Sequence, residues 1–266
     1  MMGKNSVCII LLTLSFGRLA AAAAPSAETL LSNWKNAIYT NREHSQITLT
    51  LLEPGSSPLK RQAEIWYKSK SAGESQILMK FKSPASIAGV AFLSLRSANQ
   101  SGADQWLYFP AYKKARRLSS HNRDESFLDS DFSNGDISFE YEDAFDIRLK
   151  TATKGEEKID GQPVYVLEGV VKSSKKEALP YSREVLFISK TDNLNLRSEF
   201  YDQKNTLVKV IRVANWKKYG NRWSADTIQV ENMKTKHQSL LSFESRDLSG
   251  VPPERLFTMS ELESGH

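Results

Sequence analysis

The stretch Ile47-Thr48-Leu49-Thr50-Leu51 decides how this chain folds, because apolar and polar side chains alternate along it. The same alternation returns over residues 62–68 and 76–82. Successive side chains of a β-strand point to opposite faces of a sheet, so a period of two is typical of half-buried strands. These three stretches therefore predict three neighbouring strands.

Further strands are predicted along most of the chain, at 89–96, 104–109, 113–118, 144–153, 163–171, 183–190, 194–202, 206–217, 222–232 and 237–246. Turn-forming pairs such as Asp160-Gly161, Asp192-Asn193 and Gly220-Asn221 separate several of them. Closely spaced strands with short turns and no helical crossovers predict an antiparallel meander. A sheet of this length tends to curl towards a barrel or a sandwich.

Three segments depart from the strand pattern. Leu30, Leu31, Trp34 and Ile38 recur at helical spacing, which predicts a helix over about 27–39 with Ser26 as N-cap. Residues 119–143 are acidic and rich in turn formers, and we expect an ordered loop or short helices laid across the sheet. Residues 252–262 predict one short helix.

The N-terminus has the three parts of a secretory signal peptide. Lys4 supplies the positive charge, an apolar run follows from Val7 to Phe16, and small residues extend from Ala20 to Ala24. We expect cleavage after Ala23, so that residues 1–23 are the signal peptide and residues 24–266 form a single β-domain. A retained anchor is the alternative, but the run is shorter than the roughly 20 residues that span a bilayer.

Composition narrows the functions that remain. The one cysteine, Cys8, lies inside the predicted signal peptide, so disulfides, thiol catalysis and cysteine-bound metals are not expected in the exported chain. The whole chain has 36 Lys and Arg against 31 Asp and Glu. A mildly basic exported protein suits anionic membrane surfaces or acidic partners better than nucleic acid, and peripheral membrane contact at most.

No pattern in the sequence indicates catalysis. His44, His121, His237 and His266 are not placed at metal-ligand spacing from one another or from acidic residues. The sequence also lacks a Gly-x-Ser-x-Gly motif and a glycine-rich phosphate loop. We therefore predict a protein that is not an enzyme and that needs no cofactor or metal.

Aromatic residues between 104 and 136 are the best candidates for a binding site. On a strand, Trp106 and Tyr108 share one face while Leu107 and Phe109 share the other, which suits a core on one side and an apolar cavity on the other. The candidates for the cavity wall or lid are Trp106, Tyr108, Phe109, Phe127 and Phe132. A well-packed hairpin with a salt-bridged loop is the plainer alternative.

Charged residues of the same region are candidates for a latch at the cavity mouth. Arg116 and Arg117 lie on opposite faces of their strand, so one of them points inward and needs an anionic partner. Asp129 or Asp131 could supply it. The predicted latch or mouth is therefore Arg116, Arg117, Asp129 and Asp131.

The motifs of this region resemble those of the outer-membrane lipoprotein-sorting family, relatives of the periplasmic lipoprotein carrier and its outer-membrane receptor. The matching residues are Lys82-Ser83-Pro84, Gly89-Val90-Ala91-Phe92-Leu93, Asp104-Gln105-Trp106-Leu107-Tyr108-Phe109-Pro110, Arg116-Arg117-Leu118, Ser126-Phe127, Ser130-Asp131-Phe132 and Asp136. The resemblance implies a mainly β fold, with one strongly curved antiparallel sheet as an open half-barrel. A few helices and a loop across its concave face would close it.

The resemblance also implies a function. It implies a periplasmic protein whose concave face shelters the acyl chains of lipids or lipoproteins for transfer towards the outer membrane, with an outer-membrane acceptor as partner. Members of this branch often neighbour inner-membrane transporters of the resistance-nodulation-division (RND) type. The alternative is a non-transporting accessory subunit that docks to such a transporter. An integral outer-membrane barrel is disfavoured, because Lys80, Lys82 and Lys209 interrupt its strands.

Overall fold

The computed structural model describes residues 24–69, 71, 73–98, 102–119, 124–139, 144–150, 156–176 and 179–264. The predicted signal peptide, residues 1–23, lies outside these ranges. The strands are β1 (Arg42–Leu52), β2 (Leu59–Lys68), β3 (Ser75–Ser83), β4 (Ala91–Arg96), β5 (Asp104–Phe109), β6 (Lys114–Leu118), β7 (Phe145–Leu149), β8 (Lys158–Ile159), β9 (Gln162–Val171), β10 (Tyr181–Ser189), β11 (Asn195–Asp202), β12 (Leu207–Tyr219), β13 (Arg222–Asn232) and β14 (Gln238–Asp247). The helices are α1 (Ala27–Ile38), α2 (Asn134–Ile137) and α3 (Met259–Glu263).

These strands form one antiparallel sheet in the order β6-β5-β4-β3-β2-β1-β14-β13-β12-β11-β10-β9-β7, with β8 attached to β9. The order follows the chain within each half, as the short turns predict. The first and last strands of the sequence, β1 and β14, pair in the middle. The sheet is not closed into a barrel, since β6 and β7 remain its two edges. This confirms the open half-barrel rather than a sandwich.

The sheet is strongly curved. Gln105 on β5 donates a hydrogen bond to Ser138 over 2.8 Å. Lys209 on β12 forms an ion pair with Asp136, which is only two residues from Ser138 in the sequence. Seven strand spacings separate β5 from β12, which is about 34 Å in a flat sheet. Both strands reach the same turn of chain only because the sheet wraps around it. We call this inner side the concave face and the outer side the convex face.

Helix α1 closes one half of the concave face. The Ser26 side chain accepts a hydrogen bond from the Thr29 amide, so it caps the helix as the sequence predicts. Leu30 is fully buried against Leu167 of β9 and Ile188 of β10. The amphipathic spacing therefore serves to pack the helix on the sheet.

The convex face is covered over β2–β6 by the C-terminal segment. The predicted single helix is a 3₁₀ turn, Glu254–Phe257, followed by α3, with extended Thr258 between them as the cap of α3. Phe257 and Leu262 are buried there. Ion pairs anchor both parts, with 2.6 Å between Lys68 and Glu254 and 2.7 Å between Lys80 and Glu261. Within the described ranges, no helix is long and apolar enough to cross a membrane.

Candidate functional site: a segment across the concave face

Residues 124–139, which we call the crossing segment, lie on the concave face between the two edges of the sheet. The segment begins with a tight hairpin-like turn in which the Phe127 amide donates to the Phe132 carbonyl over 2.7 Å. Leu128 and Asp129 at its tip have positive φ angles of 49° and 61°. The one-turn helix α2 follows. The predicted ordered loop with short helical structure is thus confirmed for this part of 119–143.

Two phenylalanines of the crossing segment fill the apolar centre of the concave face. Phe127 is 1% exposed and Phe132 is 4% exposed. The Phe127 ring meets Phe92 edge-on at 5.2 Å and Phe81 at 6.3 Å between ring centroids. Burying a phenylalanine is worth roughly 1.5–3 kcal/mol. Burial of these two rings therefore helps to hold the crossing segment on the sheet.

Arg61 of β2 holds the tip of the crossing segment. Its guanidinium donates to the Leu128 carbonyl and lies 3.7 Å from the Asp129 carboxylate. Arg61 is 9% exposed, although it shares its face with the core residue Ala63. A buried guanidinium needs such acceptors, so Arg61 ties the position of the tip to the sheet.

Asp131 attaches the middle of the crossing segment to β14. Its Oδ2 atom lies 2.6 Å from His237 Nδ1 and accepts a hydrogen bond of 2.7 Å from the Ser239 hydroxyl. The Asp131 amide donates back to the Ser239 oxygen over 2.9 Å. Two contacts of its carboxylate and one of its backbone amide make Asp131 the principal polar attachment on this side.

Asp136 attaches α2 to β12 through a buried ion pair with Lys209, whose side chain is 7% exposed. The same carboxylate accepts from the Ser133 amide at 2.7 Å and completes the capping box of α2. The Lys209 ammonium also lies 3.3 Å from the Tyr181 hydroxyl. Burial raises the pKa of Tyr181 well above its ordinary value, and Asp136 and Asp124 raise it further. Tyr181 therefore stays a neutral hydrogen-bonding group.

A cavity of about 920 Å³ opens beside the crossing segment, at the end of the sheet formed by the β1–β2, β11–β12 and β13–β14 turns. Its residues are Glu53, Pro54, Asp124, Ser126, Asp129, Ser130, Asp131, Phe132, Ser133, Pro180, Tyr181, Asp202, Val208, Lys209, Val230, Asn232, Lys234, Thr235 and His237. Ligand sites commonly have volumes of about 300–1,000 Å³. The cavity thus has the size of a ligand site, with an apolar floor beneath a charged rim.

The predicted wall residues divide between the two faces. Phe109 packs with Phe127 and Phe132 in the core of the concave face. Trp106 and Tyr108 lie on the convex face, packed against the C-terminal segment. The alternation along β5 is as predicted, and both faces are apolar, but the cavity is on the Phe109 side only.

The predicted latch residues find other partners than those expected. Arg117 pairs with Asp104 on the convex face. Arg116 stands opposite Leu107 on the exposed edge strand β6. Asp129 and Asp131 instead meet Arg61 and His237. The expected arginine–aspartate contact exists at Asp129, but Arg61 of β2 makes it.

Sequence reasoning missed Arg61, Lys209 and Glu184, which are buried on the concave face. Each occupies an inward position of an alternating strand, where the pattern calls for an apolar residue. That mismatch is the signal that could have found them. Within the described ranges, no group of three or more His, Cys, Asp or Glu side chains is arranged to hold a metal ion.

Solved structures of several other proteins share this fold. The chain is similar to an outer membrane lipoprotein-sorting protein domain from Vibrio parahaemolyticus, at 26% identity and a TM-score of 0.78 over 88% of this chain and 97% of that one. It is equally similar to a DUF1329 family protein from Desulfovibrio piger, at 27% identity and a TM-score of 0.78 over 88% and 96%. A LolA superfamily protein from Nitrosomonas europaea shares the fold at 21% identity and a TM-score of 0.68 over 89% and 99%.

A family model described as "Uncharacterized protein" matches residues 73–264. The chain belongs to this family, and it shares its fold with the lipoprotein-sorting, DUF1329 and LolA superfamily structures above. The resemblance seen in the motifs is thereby confirmed. The comparison with curated proteins finds no match.

Proposed function

We propose that this protein is a periplasmic carrier that binds acyl chains of lipids or lipoproteins on its concave face and passes them towards the outer membrane. The observation that supports the proposal most directly is the crossing segment, which places Phe127 and Phe132 on an apolar face next to a 920 Å³ cavity. We further propose that residues 1–23 direct the chain to the periplasm and are then removed.

The apolar centre of the concave face has the chemistry that an acyl chain requires. Its buried members include Ile47, Leu49, Leu51, Met79, Phe81, Phe92, Leu107, Val230 and Leu241. Each methylene moved from water to such a surface contributes about 0.8 kcal/mol, so a chain of some fifteen carbons contributes on the order of 10 kcal/mol. That energy is sufficient to displace the two phenylalanine side chains and still retain the cargo.

Binding would require the crossing segment to move as a lid. Phe127 and Phe132 occupy the space that cargo would take, so an acyl chain can enter only as they leave. The attachments of Asp131 to His237 and Ser239 border the cavity and are the first that entering cargo would meet. Release would follow when an acceptor binds the acyl chain more tightly.

A reversible disulfide tests the lid directly. The exported chain is expected to contain no cysteine, and Asp131 and Ser239 are in contact, so Asp131→Cys/Ser239→Cys should fix the crossing segment to β14 when oxidised. We expect the reduced double variant to bind a fluorescent palmitoylated peptide and the oxidised form to bind it at least about tenfold more weakly. The measurement is fluorescence titration of the full exported chain in both redox states.

The matched control is Gln62→Cys/Ser83→Cys, which joins two directly opposed residues of β2 and β3 away from the crossing segment. Oxidation of this control should leave binding unchanged. Equal binding by the oxidised and reduced Asp131→Cys/Ser239→Cys protein would refute the lid. Absence of bound lipid in native mass spectra of detergent-free protein, together with no binding of the peptide, would refute the carrier and favour a docking role at an inner-membrane transporter.

A further inference from the structure

Backbone pairing of the β12–β13 hairpin with the neighbouring strands stops before the hairpin tip. Strand β11 pairs with β12 only as far as Arg212, and β14 pairs with β13 only from Thr227 onward. The backbone of residues 213–226 therefore pairs only between β12 and β13, and Arg246 of β14 adds a side-chain hydrogen bond of 2.8 Å to the Ala225 carbonyl. We call these residues the ribbon. The tip of a two-stranded hairpin adds little to a hydrophobic core, so its side chains are available for another role.

The tip of the ribbon consists almost entirely of aromatic and basic residues, in the sequence Trp216-Lys217-Lys218-Tyr219-Gly220-Asn221-Arg222-Trp223. The two lysines and Arg222 are exposed, and the three aromatic side chains are partly exposed. Asp226 is the one carboxylate among residues 213–226. The ribbon thus carries a surplus of positive charge beside aromatic rings.

The contacts of the ribbon stiffen it without neutralising it. Arg222 donates to the Asn36 carbonyl at the end of α1 and stacks over Tyr39, which is 43% exposed. Lys218 lies 5.0 Å above the Trp223 ring on the convex side. The carbonyl and the rings hold both cations in place, and no carboxylate in the described ranges forms an ion pair with either of them.

Lys217 is the exception, because it pairs with Asp226 at 2.5 Å. Its side chain nevertheless remains 65% exposed. Hydrogen bonding and charge attraction from Asp226 raise the pKa of Lys217, so it is cationic at neutral pH.

We propose that the ribbon docks this protein on an anionic lipid surface. Tryptophan and tyrosine rings favour the boundary between headgroups and acyl chains, and clustered lysine and arginine side chains are attracted to anionic headgroups. The ribbon offers both kinds of group together at one hairpin tip, where the lysines and Arg222 are exposed. Its aromatic rings enter the headgroup region, while Lys217, Lys218 and Arg222 contact phosphates.

The position of the ribbon separates docking from cargo entry. Lys209 borders the cavity, and Tyr219 at the ribbon tip is ten residues further along β12, which corresponds to roughly 30 Å. A protein docked through the ribbon therefore presents its cavity away from that membrane. In this position the cavity would face a partner in the periplasm while the protein stays close to the bilayer.

Vesicle co-sedimentation of the full exported chain tests the proposal. We expect binding to vesicles of phosphatidylglycerol and phosphatidylcholine, little binding to phosphatidylcholine alone, and loss of binding as salt is raised. Lys217→Gln/Lys218→Gln should weaken binding at least about tenfold, since each cation near an anionic surface contributes about fivefold. Lys60→Gln/Lys204→Gln removes the same charge from exposed positions elsewhere and should bind like the unaltered protein.

Brominated lipids give a second measurement that does not depend on charge substitution. Quenching of tryptophan fluorescence should occur on vesicle binding and should largely disappear in Trp216→Phe/Trp223→Phe. The proposal is overturned if anionic vesicles do not bind, if the ribbon and control variants bind equally, or if bound protein shows no quenching that depends on these two residues. Titration with the palmitoylated peptide reports separately on the carrier function, which does not require the ribbon.

Discussion

Glu184 of β10 is the residue at which burial and charge conflict most clearly. It is 8% exposed and lies on the same face as Leu186 and Ile188, beneath α1. Burial raises the pKa of its carboxyl group to about 8, while Lys35 of α1 acts in the opposite direction. The fold therefore holds a proton at Glu184 near neutral pH, whereas the unfolded chain releases it.

The stability of the protein should fall as pH rises through this range. Between pH 4.5, the ordinary pKa, and about pH 8 the folded state binds one proton more than the unfolded state. Each pH unit then lowers the free energy of unfolding by up to about 1.4 kcal/mol, which amounts to about 5 kcal/mol over the whole range. Urea unfolding of Glu184→Gln should show a flatter pH profile, and Glu244→Gln, at an exposed position, should keep the original slope. A Glu184→Gln profile as steep as that of the unaltered protein would contradict the assignment.

Substitutions in the Lys209–Asp136 pair should also lower stability, but for a different reason, because both charges are buried together. Lys209→Met or Asp136→Asn alone leaves one charge without its partner and should lower the free energy of unfolding by about 3–5 kcal/mol. The double variant removes both charges, and its asparagine can still accept from the Ser133 amide. It should be clearly more stable than either single variant. Strictly additive losses in chemical denaturation would show that the two side chains do not interact.

At the scale of elements, side chains of the edge strand β7 pack directly over Gly169 of β9. Gly169 of β9 stands opposite Ile147 of β7. A Cβ atom at residue 169 would come within 2.5 Å of the Ile147 Cδ1 atom and 2.9 Å of the Phe145 Cβ atom. The isoleucine tip can rotate away, but the phenylalanine Cβ atom is fixed to the backbone of β7. Glycine is therefore required here by close approach and not by its φ angle.

Gly169→Ala should accordingly push β7 away from the sheet. We expect a loss of about 1–3 kcal/mol in thermal or urea unfolding, as for other overpacked sites. Val170→Ala, at the next residue on the opposite and more exposed face, should change stability by less than about 1 kcal/mol. Ile147→Ala should recover part of the loss in Gly169→Ala, and no recovery would point to Phe145 as the whole obstacle.

For the whole molecule, the strands were predictable because alternation is a local property. Residues 47–51 and 62–68 show it in the sequence and form parts of β1 and β2 in the structure. The concave side was not predictable from alternation, which separates Trp106 from Phe109 but cannot say which of them faces inward. That choice depends on where the C-terminal segment packs.

The polar attachments of the crossing segment depend on contacts between residues that lie still further apart in the sequence. Asp131 meets Ser239, which is 108 residues away in the sequence. The curvature of the folded sheet determines which distant residues meet. The sequence could therefore suggest only nearby arginines, Arg116 and Arg117, as partners of the crossing segment. The charged residues in apolar strand positions were the one visible clue to the buried attachments.

The pairing of β1 with β14 also has a consequence for how the chain folds. His44 stands opposite Asp247, so the contact at the centre of the sheet closes a loop of about two hundred residues. Each half can form early from neighbouring hairpins, but β1 and β13 remain open edges until the last strand emerges between them. Open apolar edges invite pairing with other chains, and distant pairings form slowly. Before β14 is in place, we therefore expect a partly folded chain with exposed strand edges. This is the state most prone to aggregation and most dependent on folding chaperones.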